Sequence, residues 1–121
     1  AKAVKEYSLP ELMDRIEEIF NENPEPIRGF NAVVQYDVYD VENGTYQHFF
    51  KDGKLTIKEG VETDSPDCTM QLSYDNFKKF LLGKQSGTMA LLLGKVRVKG
   101  SINTGLKIES ILQRYHIREP F

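Results

Sequence analysis

The hydrophobic pattern of the chain begins with a helical period and then changes to an extended one. Apolar residues recur every three or four positions within 9–20, which predicts one amphipathic helix. Ser8 and Glu11 form a capping box at its start, and two prolines after Asn23 end it. Within 32–38 alternate side chains are apolar, as in a half-buried strand. The chain therefore starts as a helix followed by a strand.

Two turn signals divide the next part of the chain into β-prone runs. Asn43-Gly44 and Asp52-Gly53 both favour the positive φ angles of a tight hairpin turn. They separate three runs rich in β-branched and aromatic residues. This arrangement predicts an antiparallel meander with strands at 32–39, 45–50 and 55–58.

The second half of the chain alternates short strands with short helices. Ser73 is a good helix N-cap and Gly83 a good C-cap, and the strand near the end of this half alternates valine with basic residues. The order of elements predicts an α+β fold with helices largely on one face of the sheet. The patterns place a strand, two helices, a strand and a last helix at 68–72, 73–83, 88–93, 95–99 and 103–115.

Composition is that of an ordinary globular domain. The chain has 121 residues, of which 40% are hydrophobic and 28% charged, so we expect one domain spanning 1–121. No apolar run reaches the ~20 residues of a membrane-spanning helix. The first six residues lack the apolar stretch of a secretory signal, and the single cysteine, Cys68, suits a reducing compartment. We therefore expect a cytoplasmic protein.

Charge is divided unevenly along the chain. The net charge is −2, but residues 1–75 carry −9 and residues 76–121 carry +7. Either both halves have ordinary solvated faces, or the basic half meets anionic lipid headgroups or a ligand carboxylate. The basic residues are not interleaved with aromatic side chains outside the predicted core. We therefore expect no nucleic-acid partner.

Residues that could carry catalysis are scattered. His48 and His116 have no neighbours at metal-ligand spacing, and no glycine-rich phosphate loop is present. Cys68 falls at a buried strand position, where a thiol behaves as a small hydrophobic group. The acidic residues Glu17, Glu18 and Glu22 fall on the expected solvent face of the first helix. The sequence predicts no catalytic residues, no metal and no cofactor.

The segment 77–93 has more apolar surface than a small sheet can cover. Its two short helices are apolar on more than one face, so each must bury more than one face. The surplus surface must pack against a second helix, a partner subunit, a membrane or a bound apolar ligand. Pattern alone leaves these alternatives open.

The stretch 67–112 resembles the sterol carrier protein 2 (SCP2) lipid-transfer domain. The similarity lies in a strand ending in Ser73, a following phenylalanine, a helix end and a basic strand bounded by glycines: Asp67-Cys68-Thr69-Met70-Gln71-Leu72-Ser73, Phe77, Leu81-Leu82-Gly83-Lys84, Met89-Ala90 and Gly94-Lys95-Val96-Arg97-Val98-Lys99-Gly100. Two departures are the linker 85–88, which lacks the proline often found there, and Ser101, which replaces an acidic or amide residue.

The resemblance implies a five-stranded, mainly antiparallel sheet covered by helices, with an apolar tunnel between them. It implies binding of a fatty acid, acyl-CoA, sterol or phospholipid without chemistry on it, and no metal or redox cofactor. Peroxisomal members end in a small-basic-Leu tripeptide. This sequence ends in Glu119-Pro120-Phe121, so we do not expect it in peroxisomes.

We expect the tunnel to be lined by helical residues and closed by a wall of strand residues. The helical set is Phe77, Phe80, Leu81, Met89, Leu92, Leu93 and Leu106, and the sheet wall is Val34, Tyr36, Met70 and Val98. Lys84, Lys95 and Lys99 are the expected contacts to a headgroup or an anionic membrane. The alternative function is an interaction module whose apolar helices form a homodimer or dock on an enzyme.

Overall fold

A computed structural model describes residues 6–115 and 117 of the chain. Within these residues the elements are, in chain order, α1 (Leu9–Glu22), a 3₁₀ turn (Glu25–Ile27), β1 (Ala32–Val38), β2 (Thr45–Lys51), β3 (Lys54–Glu59), β4 (Cys68–Leu72), α2 (Tyr74–Leu81), α3 (Gly87–Leu92), β5 (Val96–Gly100) and α4 (Ile102–Tyr115). The predicted order of helices and strands is confirmed, and the 3₁₀ turn was not foreseen.

The strands form one mixed sheet in the order β3-β2-β1-β4-β5 within the described residues. Pairing is antiparallel between β1 and β2, between β2 and β3, and between β4 and β5, whereas β1 and β4 run parallel. The parallel pair arises because the loop 60–67 crosses back from the end of β3 to the free side of β1. Strand β4 then runs in the same direction as β1. The expected α+β fold with a mainly antiparallel sheet is therefore confirmed.

The two faces of the sheet differ in polarity. Residues paired across strands point to the same side, and the inner side holds the buried partners Val34 and Cys68, and Tyr36 and Met70. The outer side holds polar side chains that bond to one another. The Gln47 amide donates to Gln35 Oε1 at 2.8 Å and to a loop carbonyl at 2.7 Å. Helices therefore pack on the inner face, where the apolar side chains lie.

Helix α1 begins at the predicted capping box and covers the edge strand β3. The Glu11 amide donates to Ser8 Oγ at 3.3 Å, and the Ser8 amide donates to Glu11 Oε1 at 3.0 Å. Glu17 was expected on the solvent face, but it is half-buried and accepts a hydrogen bond from the Ile57 amide at 2.6 Å. The expectation was wrong because helical period cannot show that an unpaired strand edge lies beside the helix.

The two hairpin predictions had different outcomes. Asp52 and Gly53 both have positive φ angles and join β2 to β3 as a tight turn. The connection between β1 and β2 is instead a six-residue loop, closed by the Val38 amide and the Gly44 carbonyl at 2.9 Å. Gly44 is needed there because a Cβ would lie 2.1 Å from the Val38 oxygen. A tight turn at Asn43-Gly44 was therefore a wrong prediction.

The departure at Ser101 has a local explanation. Gly100 ends β5 with a φ of +81°, and a Cβ there would lie 2.6 Å from the Asp67 carbonyl oxygen. The Ser101 hydroxyl then accepts a hydrogen bond from the Thr104 amide at 3.1 Å. Serine supplies the side-chain oxygen that a helix start requires, so α4 begins directly after β5.

Candidate ligand-binding site

An apolar cavity of about 200 Å³ lies between the sheet and the helices α2, α3 and α4. Its sheet wall comes from alternate residues of β4 and β5, which the antiparallel register places side by side: Met70, Leu72, Val96 and Val98. Its helical wall comes from Phe80, Ala90, Leu91, Ile102 and Leu106. We refer to this space as the apolar cavity.

Small residues on the helices leave this space open. Gly87 and Ala90 face the apolar cavity from α3, and Gly105 faces it from α4. A Cβ on Gly105 would lie 3.5 Å from Met70 Cε and 3.6 Å from Cys68 Sγ, which is ordinary van der Waals contact. Absence of a side chain at this position therefore widens the cavity beside the sheet.

Gly105→Ala should raise the free energy of unfolding by about 0.5–1 kcal/mol. Glycine in a helix interior costs roughly this amount relative to alanine, and the added methyl group meets no clash. Chemical denaturation measures the change. Gly100→Ala is the matched control, and it should destabilise the chain because its backbone is left-handed and its Cβ would meet Asp67. Destabilisation by Gly105→Ala would contradict the prediction.

Five polar side chains also line the apolar cavity: Asn76, Gln85, Thr88, Lys95 and Glu109. The Glu109 carboxylate of α4 accepts a hydrogen bond from the Gly87 amide, which fixes the start of α3 against α4. A second hollow of about 340 Å³ lies beyond Glu109, between α2 and α4. Asn76 donates to the Lys95 carbonyl at 3.4 Å, at the opposite end of α3. Glu109 thus borders both hollows and forms part of the partition between them.

The structure brings only some of the expected tunnel residues to the apolar cavity. Met70, Phe80, Val98 and Leu106 line it. Val34 is fully buried in the core and lines no hollow among those described. The remaining core members of the set surround a narrow void of about 10 Å³ deeper in the interior: Tyr36, Phe77 and Leu81.

The other expected lining residues lie on the outside of α3. Met89 is 51% exposed, Leu92 75% and Leu93 60%, and none of them borders the apolar cavity. Leu91 borders the apolar cavity instead, although it is itself 39% exposed. The sequence also missed Leu72 and Val96, although their positions in register with Met70 and Val98 were an available signal.

The three lysines expected at a headgroup are not all together. Lys95 borders the apolar cavity, and Lys84 precedes α3 by a short turn. Lys99 pairs with Thr69 and therefore lies on the outer face of the sheet, away from the cavity. Strand alternation separates it from the inward-facing Val98. Two of the three lysines thus lie near α3.

A model of the SCP-2 sterol transfer family matches residues 13–113. The chain belongs to this family. The SCP2 domain is a lipid-binding fold, and the elements that enclose the apolar cavity lie within the matched residues. The resemblance noted in the sequence is therefore confirmed.

The curated relatives that this chain matches are longer proteins. The chain is 30% identical over 112 residues to hydroxysteroid dehydrogenase-like protein 2 of Xenopus tropicalis, covering 93% of this chain and 26% of the relative. It is 30% identical over 94 residues to the Mus musculus protein of the same name, covering 78% and 19%. The chain thus spans about a quarter or less of the curated relatives it matches.

Solved SCP2 structures share the fold. The sterol carrier protein domain 2 of Helicoverpa armigera aligns with a TM-score of 0.75 at 18% identity, covering 100% of this chain and 98% of that one. Palmitated SCP2L2 from Aedes aegypti aligns with a TM-score of 0.63 at 22% identity, covering 88% and 96%. These similarities place the mixed sheet and its helices in the SCP2 fold.

Two titratable side chains in the core of this SCP2 domain, His48 and Cys68, are held in their neutral forms. Burial lowers the pKa of His48 to about 3, and its ring contacts Met13 Sδ at 3.2 Å. Burial also raises the pKa of the Cys68 thiol, which disfavours the nucleophilic thiolate. Among residues 6–115 and 117, no three His, Cys, Asp or Glu side chains are placed to hold a metal. No helix in the same part of the chain is long and apolar enough to cross a membrane.

Proposed function

We propose that this chain, as a single SCP2 domain, binds one hydrophobic ligand in the apolar cavity and transfers it without changing it. The observation that carries the proposal is a cavity of about 200 Å³ whose exposed lining surface is almost entirely apolar. A fatty acid, acyl-CoA, sterol or phospholipid presents the matching apolar surface. We propose a non-catalytic role in the cytoplasm, consistent with the neutral His48 and the free thiol of Cys68.

The size of the apolar cavity favours entry by movement of α3. Ligand sites typically occupy ~300–1,000 Å³, so a long-chain lipid requires more space than is open here. Helix α3 has six residues and packs against β5 and α4, with Ala90 buried and the Gly87 amide bonded to Glu109. Displacing this wall would break the bond from Gly87 to Glu109, which forms part of the partition between the apolar cavity and the second hollow.

Energetics suit a carrier better than a permanent store. Burying ~15 methylenes of an acyl chain contributes about 12 kcal/mol at ~0.8 kcal/mol each. Association and ordering cost roughly 4–15 kcal/mol, which leaves a moderate net affinity. A bilayer solvates the same chain about equally well, so exchange between protein and membrane lies close to balance.

A second candidate function is an interaction module. The outward side of α3 exposes Met89, Leu92 and Leu93, which a second copy of the chain or an enzyme could cover. The longer relatives also show an SCP2 domain within a larger protein. Under this alternative the apolar surface serves protein contact, and the cavity remains empty.

The test is ligand binding by the purified chain. We expect solvent extracts to contain lipid by mass spectrometry, and a fluorescent fatty acid to bind saturably at one site. Sedimentation should give a monomer both for the unmodified chain and for Leu92→Asp. Fatty acid binding should also be unaffected by Leu92→Asp, because Leu92 does not line the apolar cavity. Absence of both lipid and saturable binding would remove the proposal. A dimer that Leu92→Asp converts to a monomer would favour the interaction module.

A further inference from the structure

The outward side of α3 is an exposed patch of long aliphatic side chains. Met89, Leu92 and Leu93 are 51%, 75% and 60% exposed, and they are contiguous in one turn of helix and its C-cap. We call these three residues the α3 apolar face. Contiguous apolar patches on a protein surface mark contacts with proteins or membranes. The face therefore requires an explanation beyond the interior of the cavity.

The chain segment that carries this face is basic, although the Glu109 carboxylate of α4 is bonded to the Gly87 amide at the start of α3. Residues 76–108 contain seven lysines and arginines and no aspartate or glutamate. Lys84 precedes α3 and Lys95 follows it, so a cation lies on each side of the α3 apolar face along the chain. Aliphatic side chains flanked by cations match the interface of an anionic bilayer, where acyl chains lie beneath negative headgroups.

The exposed side of helix α1 has the opposite charge to the segment around α3. It carries acidic residues, among them Asp14, Glu18 and Glu22. An anionic surface would repel that side of the molecule. The charge distribution thus orients α3, rather than α1, toward a negative membrane.

The same charges argue against the other occupants. A homodimer through the α3 apolar face would bring Lys84 and Lys95 of one copy close to those of the other, which costs free energy. A nucleic acid would require aromatic side chains on which bases stack, and the face offers only aliphatic ones.

We infer that α3 is a docking element for anionic membranes, with Met89, Leu92 and Leu93 entering the headgroup region and Lys84 and Lys95 contacting the headgroups. The inward side of the same helix carries Leu91 and Ala90, which line the apolar cavity. Docking would therefore bring the movable wall of the cavity to the bilayer surface. This last consequence rests on the proposed function, whereas docking itself does not.

Vesicle sedimentation tests the docking element with two variants. Binding is measured on vesicles of phosphatidylcholine alone and with added phosphatidylserine. We expect binding only with phosphatidylserine, and weaker binding as salt rises, since exposed charges are screened within about 8 Å at physiological ionic strength. Combined Lys84→Gln and Lys95→Gln should weaken binding about fivefold per cation removed. Combined Leu92→Ser and Leu93→Ser should weaken it at least as much.

Matched controls come from the opposite end of the sheet. Lys54→Gln with Lys58→Gln removes two exposed cations of β3, and Val61→Ser removes an exposed aliphatic side chain of a loop. We expect these controls to bind phosphatidylserine vesicles like the unmodified chain. Equal losses in controls and α3 variants would overturn the docking element, as would undiminished binding by the α3 variants.

Fatty acid binding and the oligomeric state distinguish a failure of docking from a failure of the proposed function. Fluorescent fatty acid binding without vesicles should be unchanged in the variant that combines Leu92→Ser and Leu93→Ser, because neither side chain lines the apolar cavity. Fatty acid binding without vesicle binding would overturn docking and leave the proposed function standing. Vesicle binding without fatty acid binding would overturn the proposed function and leave docking standing. A dimer lost in Leu92→Ser with Leu93→Ser would assign the face to a second copy and overturn docking.

Discussion

Val98→Trp should weaken fatty acid binding by at least about tenfold, a loss of roughly 1.4 kcal/mol in binding free energy. Val98 lies on β5 opposite Met70, with its side chain directed into the apolar cavity. An indole in place of an isopropyl group would occupy much of the space of about 200 Å³. Aromatic residues are favourable in strands, so β5 should keep its pairing. Fluorescence titration measures the change in affinity.

Val61→Trp is the matched control for this substitution. Val61 is 60% exposed in the loop between β3 and β4, outside the lining of the apolar cavity. Affinity should therefore stay within about twofold of the unmodified chain, since surface changes away from special features alter free energies by only ~0.5 kcal/mol. Circular dichroism checks that both variants are folded. Unchanged affinity in a folded Val98→Trp variant would place the ligand elsewhere.

Local signals in the sequence predicted most of the fold. The capping box at Ser8 and Glu11, and the positive φ pair Asp52-Gly53, depend on neighbouring residues alone, and the structure contains both. The β1–β2 loop depends instead on the close approach of Gly44 to the Val38 carbonyl. The partial burial of Glu17 likewise depends on the adjacent edge of β3, where the Ile57 amide donates to its carboxylate. Tertiary neighbours determined these positions, and sequence period cannot identify them.

The candidate site was harder to predict than the fold. Alternation in β4 and β5 correctly indicated which side of the sheet Met70 and Val98 share. Within 88–93, however, five of six residues are apolar, so no polar side chain marks the outward side of α3. The Ser86 cap and the contact of Gly87 with Glu109 set the orientation of the helix. Leu91 consequently borders the apolar cavity whereas Leu92 does not, a distinction that hydrophobic periodicity could not make.

His48 should make the domain less stable as pH falls below 6.5. Its ring lies inside the core, with Nε2 3.2 Å from Met13 Sδ and its centroid 4.7 Å from that of Tyr36. Removal from water disfavours the imidazolium and lowers the pKa from 6.5 to about 3 in the folded state. The unfolded chain keeps the ordinary value. Between these two pH values the unfolded state therefore binds one more proton at this residue.

This difference gives the sign and size of the effect. Each pH unit within the interval shifts the free energy of unfolding by at most about 1.4 kcal/mol, because protonation favours the unfolded state. We expect His48 to account for a loss of about 2 kcal/mol between pH 6.5 and pH 4.5. His48→Phe removes the titration and keeps an aromatic ring beside Tyr36 and Phe50. Chemical denaturation of both proteins across this range measures the difference, in which the carboxylates common to both cancel. Parallel stability curves for the two proteins would contradict the prediction, because they would mean that His48 has the same pKa in the folded and unfolded states.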